Sequence, residues 1–389
     1  MDTSARNRGP LACIVGARPN YMKMAPLVRA FAAEAMLPST LLVHTGQHYD
    51  VAMNERLFRD LELPSPDLNL EVGSGSHAMQ TAEVMRRIEP VFDEVRPACA
   101  VVVGDVNSTL AVTLVAAKKG IPVAHVEAGL RSYDRTMPEE INRVLTDQLA
   151  DLLYTTEACA ADNLAREGID ASRIHFVGNV MIDSLLRHVR RAVPPGETLA
   201  RAGAEASFVR DPAGFAVVTL HRPSNVDEPR ALGESLRILE DVSERLPVVW
   251  PMHPRTRAAL ERFGLAVRRD ARIALLPPQG YLEMLGLMAN AKLVLTDSGG
   301  VQEETTALAV PCLTLRDNTE RPITVEQGTN TIVGRDLRRV QACVDDIMRG
   351  EGKRGRRPQF WDGNAAPRIA RHLVTWLAER APMQLEPAL

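Results

Sequence analysis

The chain contains no CxxC pair, and its five cysteines (13, 99, 159, 312 and 343) are scattered and odd in number. That argues against a disulfide framework. Cys13, Cys99 and Cys312 sit in apolar runs, as small buried hydrophobes do in a reducing compartment, so a cytoplasmic protein is expected. No apolar run approaches the roughly 18 residues of a membrane-spanning helix, and MDTSARNRGP has no apolar h-region of a signal peptide. The net charge of −3 gives no polyanion-binding signal, and nucleic acid is not expected as a partner. The densest basic run, KRGRRP (353–358), reads as a solvated loop. No GxGxxG opens a helix after a strand, and EVGSGSH (71–77) is a near-miss that reads as a loop. No GxxxxGK[ST], no HExxH and no internal repeat occurs. Nicotinamide, flavin, ATP and metal-ion readings therefore lack support.

What is present is an alternation of short β-rich runs with helical windows. The runs are 11–16, 40–45, 99–104, 121–126, 152–156 and 174–177, then 215–221, 247–253, 273–276, 292–296, 311–315 and 330–333. Helical spacing fills 22–34, 77–95, 106–119, 139–149, 228–245, 300–309 and 336–348. Continuously apolar strands are buried on both faces, which predicts parallel sheets covered by helices. A chain of 389 residues with 45% hydrophobic content suits two domains of about 150–200 residues each. Six runs followed by six more predict two doubly wound domains rather than a (β/α)₈ barrel. The expected division is 1–177, 178–360 and a final segment, 361–389, whose helix crosses back to the first domain.

In open parallel sheets, ligands bind beyond the carboxyl ends of the strands. The polar residues that stand out fall there: Arg18, Asp105, Glu127, His221, His253, Asp297 and Ser298. In GARPN, Arg18 suits bidentate phosphate binding, or is a surface arginine beside a Pro-capped helix. In GDVNSTLA, Asp105 is either a helix cap or an acid–base group. In HVEAGLRS, Glu127 has no capping role. In MPEEINR, compensation of the helix dipole accounts for Glu139 and Glu140. In TLHRPSN, the pair His221–Arg222 is an anion or acid–base candidate. TDSGGVQEE (296–304) is a small-residue turn feeding a helix. Amides around Ser298, Gly299 and Gly300 can hold a diphosphate. Glu304, further along, can accept from a cis-diol, whereas Glu303 reads as dipole compensation. A nucleoside diphosphate has both features.

In order along residues 11–380, the blocks GARPNYMKMAPL, HTGQH, GDVNSTLA, HVEAGLRS, PEEINR, HRPSNVD, TDSGGVQEE and RDNTERPITVEQGTN resemble those of the non-hydrolysing UDP-N-acetylglucosamine 2-epimerases. The resemblance implies an α/β fold of GT-B type, with two Rossmann-like doubly wound domains facing across a cleft. It also implies a cytoplasmic homodimer without organic cofactor. The implied reaction is inversion at C2 of a UDP-2-acetamido sugar, UDP-GlcNAc to UDP-ManNAc. It runs by anti elimination of UDP to 2-acetamidoglucal and syn re-addition. Carried onto this chain, the resemblance gives Arg18, His221, Ser298, Gly299 and Gly300 to the diphosphate and Glu304 to the ribose. Asp105, Glu127 and Glu139 are the acid–base carboxylates, with His221 counted in the catalytic set as well. Lys23, Arg143 and Arg321 lie close to the site, and His253 belongs to the cleft.

The chain departs from the pattern in places. Asn20 and Ser224 stand where many members have Glu. Met284 stands where an aromatic residue stacks on uracil, and Tyr49 where members activated by their own substrate have Arg. The loop RSYDRTMPEE is short. Relatives acting on UDP-2,3-diacetamido uronic acids share these features and give the alternative substrate. A GT-B glycosyltransferase would use the same nucleotide-binding half but needs no proton chemistry at C2. A hydrolysing epimerase would release ManNAc and UDP, and a UDP-sugar sensor has no use for three carboxylates.

Overall fold

The computed structural model describes residues 9–46 and 51–380, with backbone alone at 51–55. Two compact units form. One runs to Ser184 and takes up the chain again from Asp362; the other is Leu185–Trp361. The division thus lies inside the helix Val180–His188, later than the Gly178 turn, because the first half of that helix is bonded into the first unit. Ser184 Oγ donates to the Met22 carbonyl at 2.6 Å. The Asp183 carboxylate accepts from the backbone N–H groups of Ala365 and Ala366 at 3.2 and 2.7 Å. Those amides open the last described helix, Ala365–Glu379, which packs on the helix Arg18–Ala33 of the same unit.

Among the described residues the first unit holds seven strands: β1 (Leu11–Val15), β2 (Thr40–His44), β3 (Leu68–Asn69), β4 (Cys99–Val103), β5 (Val123–Ala128), β6 (Leu152–Thr155) and β7 (Ile174–Phe176). They form one parallel sheet in the order β3-β2-β1-β4-β5-β6-β7. The second unit holds β8 (Ala216–Thr219), β9 (Val248–Pro251), β10 (Ile273–Leu276), β11 (Leu293–Thr296), β12 (Cys312–Thr314) and β13 (Asn330–Ile332). Their order is β10-β9-β8-β11-β12-β13, again parallel. All twelve apolar runs of the sequence are strands. The thirteenth, β3, is two exposed residues at a sheet edge, too short to leave a pattern.

The central strands are apolar throughout because helices cover both their faces. LACIV of β1 and CAVVV of β4 are wholly buried. Strand order reverses between β1 and β4 in the first unit and between β8 and β11 in the second. At such a switch point the flanking loops diverge and open a crevice at the strands' carboxyl ends. Arg18 and Asp105 follow β1 and β4; His221 and Asp297 follow β8 and β11.

Asp183 serves as an N-terminal cap supplied from a different helix. Asp183→Ala should cost roughly 1–3 kcal/mol, the scale of two buried amide donors left unmet. Urea unfolding would show the loss.

Candidate active site

In the first unit, Glu127 ends β5 in an unusual way. Val126 pairs with Tyr154 and Ala128 with Thr155, so Glu127 is the extra residue of a bulge. Its φ is 77°, in the left-handed region. For a residue with a Cβ this costs on the order of 1–3 kcal/mol, and bulges of this kind re-aim a side chain. The carboxylate accepts from Lys23 Nζ at 2.7 Å, and both side chains are almost wholly buried. Asn20 holds the floor of the same crevice. Its Oδ1 accepts from the N–H groups of Gly16 and Ala17, and its Nδ2 donates to the Val103 carbonyl. At Gly104 (φ 66°), an added Cβ would lie 2.8 Å from Lys23 Nζ, so only glycine fits beneath the Lys23–Glu127 pair.

Asp105 follows at the β4 tip. It does not cap the next helix, Asn107–Lys118, whose N-cap is Val106. Instead Arg143 donates to Asp105 Oδ2 from Nε and Nη2 at 3.0 and 2.7 Å. Arg143 Nη1 also donates to Glu140 Oε2 at 2.6 Å. Glu140 is buried and accepts from the N–H groups of Ser132 and Tyr133, so it is a loop anchor rather than a dipole-compensating surface acid. Glu139 lies beside it, half-buried in the first turn of the helix Pro138–Leu149. Arg18 is half-buried in the first turn of Arg18–Ala33.

In the second unit, Asp297 organises the switch point. Its carboxylate accepts from the N–H groups of His221 and Arg222 at 2.9 and 2.8 Å and from Asn225 Nδ2 at 3.2 Å. Burial pushes Asp297 up. His221 and these amides outweigh it and hold the carboxylate below its usual range. His221 Nδ1 lies 3.0 Å from Asp297 Oδ1, so the ring nitrogen that remains to meet a ligand is Nε2. The His253 ring stands with its centroid 5.4 Å from that of His221, while His253 Nδ1 accepts from the Arg255 N–H and so caps the helix Pro254–Phe263.

Ser298 is the N-cap of the helix Gly299–Leu308, and its side chain makes no capping bond. The first amides of this helix point outward beside a positive dipole end. An added Cβ on Gly299 would come 2.5 Å from Glu320 Oε1. Glu320 is buried against Arg316 (2.8 Å) and Arg222 (3.6 Å). Burial raises it, but Arg321, Arg316 and Arg222 hold it well below the usual carboxylate range. Glu303 is fully buried against Arg321 Nε at 2.9 Å, so it is an ion-pair partner and not a solvent-facing acid.

Glu304 follows Glu303 in the same helix. It is buried, and its Oε1 makes no hydrogen bond among the described residues. Burial, then the charge of Glu303, push its pKa up to about 8 against the pull of the nearby Tyr281 hydroxyl.

Each unit therefore gathers its own share of the expected residues. Lys23 meets Glu127 and Arg143 meets Asp105 in one; His221, His253, Ser298, Gly299, Gly300, Glu304 and Arg321 surround the β8 and β11 tips in the other. Met284 is half-buried and packs against the apolar cluster that includes Val217, Val249 and Val294. Tyr49 lies outside the described residues. Sequence reasoning missed Glu140, Glu320, Tyr281 and the buried pair His125–Asp147. One signal was available: in PEEINRVLTDQL the buried residues are Glu140, Asn142, Arg143, Thr146 and Asp147, a polar face turned inward.

A family profile described as UDP-N-acetylglucosamine 2-epimerase matches residues 32–374. The UDP-N-acetylglucosamine 2-epimerase of Methanocaldococcus jannaschii is 42% identical over 368 residues, covering 94% of this chain and 98% of that protein. The UDP-2,3-diacetamido-2,3-dideoxy-D-glucuronate 2-epimerase of Pseudomonas aeruginosa is 40% identical over 368 residues, covering 93% and 98%. The crystal structure of the M. jannaschii UDP-GlcNAc 2-epimerase in complex with UDP-GlcNAc and UDP superposes with a TM-score of 0.85 at 41% identity, over 94% of this chain and 99% of that one.

The raised pKa of Glu304 has a sign that can be checked. Between the ordinary carboxyl value of 4.5 and about 8, the folded protein keeps a proton that the unfolded chain has lost. Stability therefore falls as pH rises through that window. Glu304→Gln removes the titration. Its melting temperature should gain on that of wild type steadily from pH 5 to pH 8, in the absence of ligand.

Proposed function

The chain belongs to the UDP-N-acetylglucosamine 2-epimerase family of isomerases, and on that premise we propose that it inverts C2 of a UDP-2-acetamido sugar without hydrolysis, converting UDP-GlcNAc to UDP-ManNAc. The observation that carries the nucleotide half is Glu304: a buried carboxylate oxygen with an unmet acceptor, within two turns of an uncapped helix N-terminus. A ribose diol supplies the donors, a diphosphate meets the amides of Ser298, Gly299 and Gly300 with His221 and Arg18, and Arg321 contacts the sugar. His253 and Met284 complete the substrate-binding set.

The chemistry is assigned to Asp105, Glu127 and Glu139, with His221 at the departing phosphate. A carboxylate takes the C2 proton, the C1–O bond breaks with its electron pair leaving on the β-phosphate, and a C1=C2 double bond forms. The phosphate oxygen then re-adds to C1 on the same face, and a proton is returned to C2 on the other. Lys23, 2.7 Å from Glu127, and Arg143, 2.7 Å from Asp105, set the charge around these groups. No organic cofactor is needed, since the electrons gained by the leaving phosphate are those it gives back.

The decisive experiment is proton NMR of protein and UDP-GlcNAc in D₂O. Loss of the C2 proton signal as UDP-ManNAc appears supports the proposal. Free ManNAc with UDP would mean hydrolysis instead. Turnover of the 2,3-diacetamido uronate alone would move the substrate to that of the P. aeruginosa relative. Asp105→Asn and Glu127→Gln should each lower turnover by about 10²–10⁴-fold, the range of a lost acid–base group, with UDP affinity within a few-fold of wild type by calorimetry.

We also assign a cytoplasmic homodimer. The five cysteines form no disulfide, and no helix of the described residues is long and apolar enough to cross a membrane. The helix Pro138–Leu149, whose inner face is polar, exposes Ile141, Leu145 and Leu149 at successive turns. An apolar stripe of this kind, turned away from its own core, fits the same stripe of a second copy. Leu145→Asp should shift the species seen by sedimentation from dimer to monomer; a wild-type monomer would overturn the assignment.

A further inference from the structure

Glu127 holds a backbone conformation that its side chain disfavours, and the hydrogen bonds around it show what keeps it there. Two residues before it, His125 Nδ1 lies 2.6 Å from Asp147 Oδ1. Two residues after it, the Gly129 N–H donates to Asp147 Oδ2 at 3.0 Å. One carboxylate, on the helix Pro138–Leu149, therefore grips the chain on both sides of the bulge. The other ring nitrogen, His125 Nε2, lies 2.8 Å from the carbonyl oxygen of Gly104, the residue before Asp105. Both ring nitrogens thus face oxygens, and the ring bridges the Asp147 carboxylate and the Gly104 carbonyl. Asp147 also pairs with Arg131 at 2.7 Å, and Arg131 pairs with Glu167 at 2.7 Å. His125, Asp147 and the Arg131 side chain are sealed from solvent. Gly129 cannot be replaced in this arrangement, because a Cβ there would lie 2.6 Å from the Ala160 carbonyl oxygen.

We propose that the buried His125–Asp147 pair is a positioning device that holds Glu127 in its left-handed backbone conformation and so aims its carboxylate at Lys23 and the reacting sugar. The inference rests on the epimerase reading above. It adds that the aim of this carboxylate is set by groups that touch neither substrate nor carboxylate. The same ring ties the β5 tip to the β4 tip, so it also fixes Asp105 relative to Glu127 through the Gly104 carbonyl. Loss of the clamp lets residue 127 relax to negative φ, which swings its side chain out of register with Lys23.

The test uses Asp147→Asn, whose amide keeps the shape but offers one acceptor oxygen in place of two. Loss of the C2 proton signal in D₂O should slow by about 100-fold, the scale of a catalytic group displaced by an ångström. KM and UDP affinity should stay within about twofold, since uniform binding is untouched. A crystal structure of the variant should show Glu127 at negative φ. His125→Phe keeps the ring volume and the Asp147–Gly129 bond, and it serves as the second variant if the first does not fold; the same loss of kcat is expected. Wild-type turnover in a folded variant, or a positive φ at residue 127 retained in it, overturns the inference. Wild-type protein that exchanges no C2 proton from any UDP-2-acetamido sugar overturns the epimerase reading and this role with it. The φ of residue 127 separates the two failures, because it is read without activity.

Discussion

A parallel strand covered by helices on both faces has no place for a charged side chain along its length. An unpaired charge buried there costs several kcal/mol, so the charges collect where the strand stops. In this chain β1 and β4 are apolar to their last residues and β8 and β11 are apolar up to a final threonine, and Arg18, Asp105, His221 and Asp297 follow within a few positions. The reversal of strand order at β1/β4 and at β8/β11 leaves the loops there without a neighbouring crossover. Each sheet thereby gathers its polar groups at one point of its edge, and everything proposed about ligand and chemistry depends on that concentration.

Within these gatherings nearly every carboxylate is already answered. Asp105 has Arg143, Glu127 has Lys23, Glu140 has Arg143 and two amides, Asp297 has His221 and two amides, Glu303 has Arg321, and Glu320 has Arg316. Pairing of this kind offsets desolvation and fixes geometry; it leaves little capacity for a new ligand. Glu304, also buried, has no ion-pair partner among the described residues, and its Oε1 meets no hydrogen-bond donor there. Burial, then the charge of Glu303, raise its pKa, and a carboxyl in that state can donate to or accept from a ligand hydroxyl.

The helix Pro138–Leu149 shows how one segment serves two purposes. Its inner face carries Glu140, Asn142, Arg143 and Asp147, which hold the β4 and β5 tips, and its outer face carries Ile141, Leu145 and Leu149. An ordinary surface helix has these faces reversed. The inversion places the polar groups against the β4 and β5 tips and leaves Ile141, Leu145 and Leu149 exposed.

Strand and helix positions were legible in the sequence because hydrophobic periodicity is local: twelve apolar runs became twelve strands, and the turn TDSGGVQEE showed its helix N-terminus and its acids within nine residues. The ordered blocks also carried the family and, through it, the residues expected at each strand tip. The remaining features were set by contacts between residues distant in the chain. Lys23 meets Glu127 across 104 positions, Arg143 meets Asp105 across 38, and His125 meets Asp147 across 22. No window of sequence shows that Glu303 pairs with Arg321, that Glu140 anchors a loop, or that Glu127 sits at positive φ in a bulge. Which polar groups are satisfied, and in what backbone geometry, is decided only when the sheets assemble, because hydrogen bonds are short and directional while the pattern that builds the strands is neither.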